Sequence, residues 1–230
     1  MKKSIKGRKW KKDSPQKTVL NEVLSSKEII FLEKETKDMV YINFSLKENQ
    51  YGMYAEEYIP NTLTPDGHKK ADITAFILDE DAQKGKYYVA DVKSDVGGRD
   101  VIFHLCEQWQ AGLKYLNHTV VYQLDDDFDM EKNLMVITRN FDIERIKKEL
   151  NSEKKKIQDM EKYGITSLPA AKLYAQQAVK IKKECEVLEK FVEKKFYFQD
   201  RSEIKEYLFK VGKLEKVEND TYVYHLYVTL

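Results

Sequence analysis

Two apolar runs separated by one short polar stretch constrain this chain most. "KKADITAFILDE" (69–80) and "KGKYYVADVKSD" (84–95) are each rich in apolar and β-branched residues, and the polar "DEDAQKGK" between them ends near Gly85. This pattern predicts two strands joined by a loop. Three charges sit where further valines would be expected. Asp72 opens the first run, and Asp91 and Lys93 fall late in the second. A buried charge is costly unless it is paired, hydrogen-bonded or bound to a metal. Side chains alternate along a strand, so Asp91 and Lys93 share one face and Val92 takes the other. If the strands are hairpin neighbours, the carboxylates of Asp72 and Asp91 converge at one end of a sheet. Two carboxylates suit Mg²⁺, a hard ion that keeps several waters and accepts phosphate oxygens. A lysine beside them can orient an attacking water and offset charge in a transition state.

Around this pair the pattern predicts an α/β arrangement on a mixed sheet. "SPQKTVLNEVLSS", with Ser14 as N-cap and Pro15 at the first helical position, predicts a short helix. "KEIIFLEKE" and "KDMVYINFSL" predict strands joined near Thr36–Asp38, and "YGMYAEEYIPN" a short helix stopped by Pro60. "VIFHLCEQWQAGLKYLN" has apolar residues at helical spacing, and "HTVVYQL" and "NLMVITRNF" read as strands across an acidic loop. Residues 50–141 are thus expected to run helix, strand, strand, helix, strand, strand. Beyond 141, Ile143, Ile146, Leu150, Ile157 and Met160 form one narrow apolar stripe. Tyr174, Ala178, Ile181, Cys185, Leu188 and Val192 form another, in a segment read as helical through Phe196. Two such helices with a short connection predict an antiparallel hairpin or coiled coil. "SEIKEYLFKVG" predicts a short helix, and the last 18 residues a β-hairpin turning at Asn219-Asp220. The expected organisation is residues 1–141 as a core with a basic N-terminal arm, and 142–230 as a helical hairpin with a small α+β tail. The second region is a candidate surface for a homodimer or a protein partner, through residues 142–195.

Composition narrows the class. The 230 residues carry 40 basic and 39 acidic side chains, a net charge of +1, so no global field draws the chain to polyanions. Locally the balance differs: Lys2, Lys3, Lys6, Arg8, Lys9, Lys11, Lys12 and Lys17 load the N-terminus, with Asp13 the single acid among them. Such an arm either neutralises phosphates or serves as a solvated tail. It has no apolar stretch behind it and predicts no secretory signal. No apolar run approaches the roughly 18 residues of a membrane-spanning helix. Cys106 and Cys185 provide no disulfide framework, which predicts a reducing, cytoplasmic setting.

Pro65-Asp66 and Asp72, followed by Asp91-Val92-Lys93, resemble the motifs of the PD-(D/E)XK nucleases, the restriction-endonuclease-like superfamily. Eighteen residues separate Asp72 from Asp91, within that family's usual range. The resemblance covers roughly residues 50–125 and implies a mixed β-sheet core flanked by helices. It also implies Mg²⁺-dependent hydrolysis of DNA, with Mn²⁺ able to substitute, by an endonuclease of restriction, defence or mobile-element type. Asp72 and Asp91 would hold the metal and Lys93 would face the nucleophile. A glutamate on the preceding helix often joins the family's site, which points to Glu56, with Glu57 as second choice. Gln110 and Tyr115 are similar to the glutamine and tyrosine of the family's RecB-like group. Asp66 follows the proline literally but sits in turn chemistry, so the strand residue Asp72 is the choice for first ligand.

The alternative in another class is a non-catalytic nucleic-acid-binding or coiled-coil interaction protein, with Asp91 and Lys93 merely paired at a strand edge. Other chemistries are weaker. His104 and Cys106 stand two apart on a predicted helix and point to different faces, so they form no zinc pair. "VGG" (96–98) lacks the lysine and hydroxyl residue of a phosphate-cradling loop. Asp125–Asp127 lacks the glycine and terminal glutamate of a calcium loop. Trp109 could stack on a base, but at its spacing it reads first as core.

Overall fold

A computed structural model describes residues 20–23, 25–33, 36–55, 71–79, 81–119, 129–162, 168–200, 203–217 and 220–230. The strands are β1 (Leu20–Val23), β2 (Lys27–Leu32), β3 (Met39–Phe44), β4 (Gln50–Ala55), β5 (Ile73–Asp79), β6 (Lys84–Val96), β7 (Asp129–Phe141), β8 (Lys195–Asp200), β9 (Glu203–Lys213), β10 (Glu215–Lys216) and β11 (Tyr222–Val228). The helices are α1 (Arg99–Thr119), α2 (Ile143–Lys162) and α3 (Leu168–Val192). The chain divides into two compact units that are not contiguous in sequence. Described residues within Met1–Ser94, Leu105–Arg139 and Phe209–Leu230 form the first, and those within Asp95–His104 and Asn140–Leu208 the second. The last 22 residues thus return to the unit that holds β5 and β6.

In the first unit, one sheet has the order β1-β4-β5-β6-β7-β9 and a smaller one the order β10-β11-β3-β2. Both are mixed. β4, β5 and β6 run antiparallel, and β7 pairs with β9 in parallel. β11 is parallel to β3, and β2 antiparallel to it. Alternation along the strands explains how the sheets meet. Val40, Ile42 and Phe44 of β3 and Leu226 and Val228 of β11 pack against Ile73, Ala75 and Ile77 of β5 and Tyr88, Ala90 and Val92 of β6. Each Val, Ile, Leu or Phe side chain among them contributes about 1.5–3 kcal/mol when fully buried. The intervening residues of β5 and β6 face the other way, toward α1. There Gly112 lets the helix approach: a Cβ on it would stand 2.7 Å from Val89 Cγ1 and 3.2 Å from Ala71 Cβ. Trp109, fully buried, lies 5.0 Å from the Phe209 ring, so it is core.

A buried ion pair fastens the β2–β3 turn to β7. The Arg139 guanidinium donates to Asp38 Oδ1 at 2.6 Å and to Thr36 O at 3.1 Å, and lies 4.1 Å over the Tyr222 ring. Asp38 is wholly buried.

In the second unit α2 and α3 pack as an antiparallel hairpin, as the ion pairs Lys154–Glu189 (2.6 Å) and Lys182–Glu161 (3.5 Å) show: partners fall along α3 as they rise along α2. Ile146, Leu150, Cys185, Leu188 and Phe191 form its buried seam. Tyr174 of the expected stripe is instead exposed.

Four expected helices need correction. Leu20–Val23 is a strand paired with β4, not part of a helix over 14–26. Gln50–Ala55 is also a strand, set between β1 and β5, because Tyr51, Gly52 and Met53 are buried in succession and a one-sided helix would expose some of them. "SEIKEYLFKVG" is β9, held by β8 and β7. The segment read as helical through Phe196 stops at Val192. Lys194 there takes a left-handed conformation (φ 58°), its N–H bonds to Phe191 O, and β8 begins. The expected C-terminal hairpin is a two-residue β10 paired with β11, and Asp220 has φ 61°; Asn219 of the expected turn lies outside the described residues. α1 runs on through His118 and Thr119, where a strand was expected to begin. The rest of that strand and the start of the acidic loop, residues 120–128, lie outside the described residues; Asp129–Lys132, expected in that loop, are already part of β7. No helix among the described residues is long and apolar enough to cross a membrane.

Candidate active site

β5 and β6 form the antiparallel hairpin that the two apolar runs predicted. Their register pairs Asp79 with Lys84 at the loop and Ile73 with Ala90 near the other end. One step further along, Asp72 stands beside Asp91. Asp72 Oδ2 accepts the Val92 backbone N–H at 2.8 Å. The hairpin therefore fixes Asp72 through the β6 backbone as well as through its own strand. The Lys93 ammonium, on the Asp91 face of β6, reaches Asp72 Oδ2 at 3.4 Å and Asp91 Oδ1 at 3.9 Å.

The three side chains differ in depth. Asp72 and Lys93 retain 19% and 21% of their side-chain exposure, and Asp91 has none. No donor meets either carboxylate oxygen of Asp91 at full hydrogen-bond geometry; the Asp72 backbone N–H is the donor that approaches it. Burial, and then the Asp72 charge, raise the Asp91 carboxyl well above the ordinary aspartate value; the Lys93 charge and then the Asp72 N–H oppose them. A buried carboxylate so weakly donated to is costly. A proton or a cation removes this cost, and an ammonium already stands near both acids.

Two neighbours were not assigned to the site by sequence. Glu33, at the end of β2, adds its charge to those that raise the Asp91 carboxyl. It is held in a tight turn, where its N–H donates to Asp38 O at 2.9 Å and Lys37, at φ 58°, donates back to Glu33 O. Nothing in the sequence distinguishes Glu33 from any acid at a strand end. Cys106, on α1, feels the Asp91 charge too: burial first, then Glu107 and Asp91, push its thiol up to about 12. That thiol is a neutral, inert wall of the site rather than a nucleophile. His104, two residues earlier, is exposed.

Gln110 is half-buried one helical turn after Cys106, and it makes no hydrogen bond to Asp72, Asp91 or Lys93. Glu56, Glu57, Asp66 and the basic residues Lys2, Lys3, Lys6, Arg8, Lys9, Lys11, Lys12 and Lys17 lie outside the described residues. Among the described residues no group of three or more His, Cys, Asp and Glu side chains gathers to hold a metal ion. The donor set among the described residues is thus two carboxylates. Their hard oxygens, those of Asp91 with no donor at full hydrogen-bond geometry, fit an oxygen-seeking divalent cation that completes its shell with water.

Fold and site together define a mixed α/β protein with two mixed sheets and a paired-carboxylate, single-lysine centre at one end of a hairpin. No family model matches the chain, and no curated protein or solved structure matches it either.

Proposed function

We propose that this chain is a Mg²⁺-dependent DNA endonuclease similar to the PD-(D/E)XK nucleases, of restriction, defence or mobile-element type. The observation that carries the reading is the meeting of Asp72, Asp91 and Lys93, with the Asp91 carboxylate wholly buried and no donor at full hydrogen-bond geometry. A purely structural ion pair at a strand edge would not require a second acid at zero exposure. It would leave Asp91 solvated or hydrogen-bonded.

Asp72 and Asp91 are the residues that would hold the ion. When bound, Mg²⁺ supplies charge stabilisation to the phosphoryl oxygens and acidifies a coordinated water. The Val92 N–H keeps the Asp72 carboxylate from rotating away from Asp91. Lys93 donates hydrogen bonds that orient the attacking water and offset negative charge on the scissile phosphate. The water oxygen bonds to phosphorus, its proton passes to solvent, the phosphorus–O3′ bond breaks, and the leaving O3′ takes up a proton from solvent. The products are a 5′-phosphate and a 3′-hydroxyl. Cys106, un-ionised at neutral pH, adds no competing nucleophile.

Calorimetric titration of the full chain with Mn²⁺ tests the reading. Binding that is present in the wild type and lost in both Asp72→Asn and Asp91→Asn is expected. A silent wild-type titration would overturn it in favour of a non-catalytic binding protein.

A further inference from the structure

The small sheet has a second face. Its inward positions, Ile29 and Phe31, Val40, Ile42 and Phe44, and Leu226 and Val228, belong to the core or pack on it. The alternate residues point outward. On β2 these are Glu28, Ile30 and Leu32, on β3 Met39, Tyr41 and Asn43, and on β11 Val223, His225 and Tyr227. Registration brings them into rows across the strands: Ile30, Tyr41 and His225 in one, and Glu28, Asn43 and Tyr227 in the next. Tyr41 and His225 stack at 4.9 Å with planes 13° apart, and His225 and Tyr227 at 6.4 Å and 22°. Ile30, Leu32 and Tyr227 are 56%, 51% and 64% exposed.

We propose that this outward face is the interface of a symmetric homodimer, packed against the same face of a second copy of the chain. Charge argues against nucleic acid as the occupant. None of the nine outward positions on β2, β3 and β11 is Lys or Arg, and one is Glu28. A phosphate backbone would find no cation there. Area favours a second copy. Ile30, Leu32 and Tyr227 supply about half of the exposed area and the six other outward residues, Glu28 and His225 foremost, the rest; together the face presents on the order of 700 Å², close to the ~800 Å² per partner of a standard interface.

The layout matches as well: Tyr41, His225 and Tyr227 stack on the two central strands, Ile30 and Leu32 extend the apolar face onto the edge strand β2, and Glu28 and Glu215 lie on the edge strands β2 and β10.

Sedimentation equilibrium of the full chain tests this. The wild type is expected to be dimeric at micromolar concentration. Tyr227→Lys and Ile30→Lys, each with an unchanged circular-dichroism spectrum, should weaken the dimer by about 30-fold or more. Leu208→Lys, at an equally exposed apolar residue on β9, should leave it intact. A wild type that stays monomeric up to roughly 100 µM, well above the dissociation constant of a standard interface, would overturn the proposal. So would a dimer that survives both lysine substitutions, or one that Leu208→Lys dissolves equally.

Discussion

Lys93 Nζ lies 3.4 Å from Asp72 Oδ2, so the lysine of one strand serves as the counter-ion of the acid on the strand beside it. The same ammonium is 3.9 Å from Asp91 Oδ1. In the hydrolytic reading Lys93 works on the water and the phosphate, while the ion is held by the acids alone. Lys93→Ala is therefore expected to retain fold and divalent-ion binding and to lose cleavage by about 10²–10³-fold or more. Measurement of Mn²⁺ affinity and of DNA cleavage on one preparation checks both halves. Wild-type cleavage in the variant would remove Lys93 from the site.

Asp91 links the site to stability. Burial and then the Asp72 charge raise its carboxyl well above the ordinary aspartate value of 3.8, so over the intervening pH range the folded state holds a proton that the unfolded state releases. Its favourable contribution is complete below about pH 3.8 and declines as the pH rises from there toward the folded pKa. Asp91→Asn keeps nearly the same volume and cannot ionise. In metal-free buffer the wild type should lose stability relative to Asp91→Asn as the pH rises from about 4 toward the raised folded pKa. Thermal melts of the two proteins across that range provide the comparison; parallel curves would mean that Asp91 is not strained by its burial.

Gly112 sets the distance between α1 and the sheet under which Asp91 lies. Alanine in a helix is favoured over glycine by about 1 kcal/mol, but here its Cβ would meet Val89 Cγ1 at 2.7 Å. Neither partner is the end of a flexible chain, and overpacking of this kind costs about 1–3 kcal/mol. Gly112→Ala should therefore destabilise the protein. Val89→Ala, introduced second, should recover part of the loss because it removes the atom that is struck. Denaturant unfolding of the single and double variants reads the coupling; additive effects would show that the helix has room to move.

The basic arm makes a separate prediction. Deletion of residues 1–12 removes seven of its eight cations, Lys2, Lys3, Lys6, Arg8, Lys9, Lys11 and Lys12. If these contact phosphates, DNA of every sequence should bind more weakly and the slope of log affinity against log salt should become shallower. Turnover at saturating DNA should change little. An identical salt slope would make the arm a solvated tail.

The site was more legible than the fold around it. The β5–β6 hairpin could be read because its apolar runs, its polar loop and its misplaced charges all pointed to the same pairing, and α1 because its stripe repeats at helical spacing. β9 misled for a physical reason. Ile204, Tyr207, Leu208 and Val211 recur at three- and four-residue steps, as on a helix, yet Ile204 and Leu208 are 71% and 69% exposed. They are surface residues whose spacing is incidental to the pairing with β7 and β8, and that pairing decides the structure. β4 misled because its strand character comes from neighbours on both sides, which no local pattern records. Glu33 was missed because it approaches Asp91 only through tertiary structure.

The central claim is that Asp72, Asp91 and Lys93 form a metal-dependent hydrolytic centre. Purified full-length chain incubated with supercoiled plasmid, with Mg²⁺ or with chelator, tests it most directly when Asp91→Asn is run beside the wild type. The account predicts nicked or linear DNA with 5′-phosphate ends from the wild type in Mg²⁺, and intact plasmid from the chelated and Asp91→Asn samples. Plasmid left intact by the wild type in both Mg²⁺ and Mn²⁺, or cut equally well by Asp91→Asn, would contradict it.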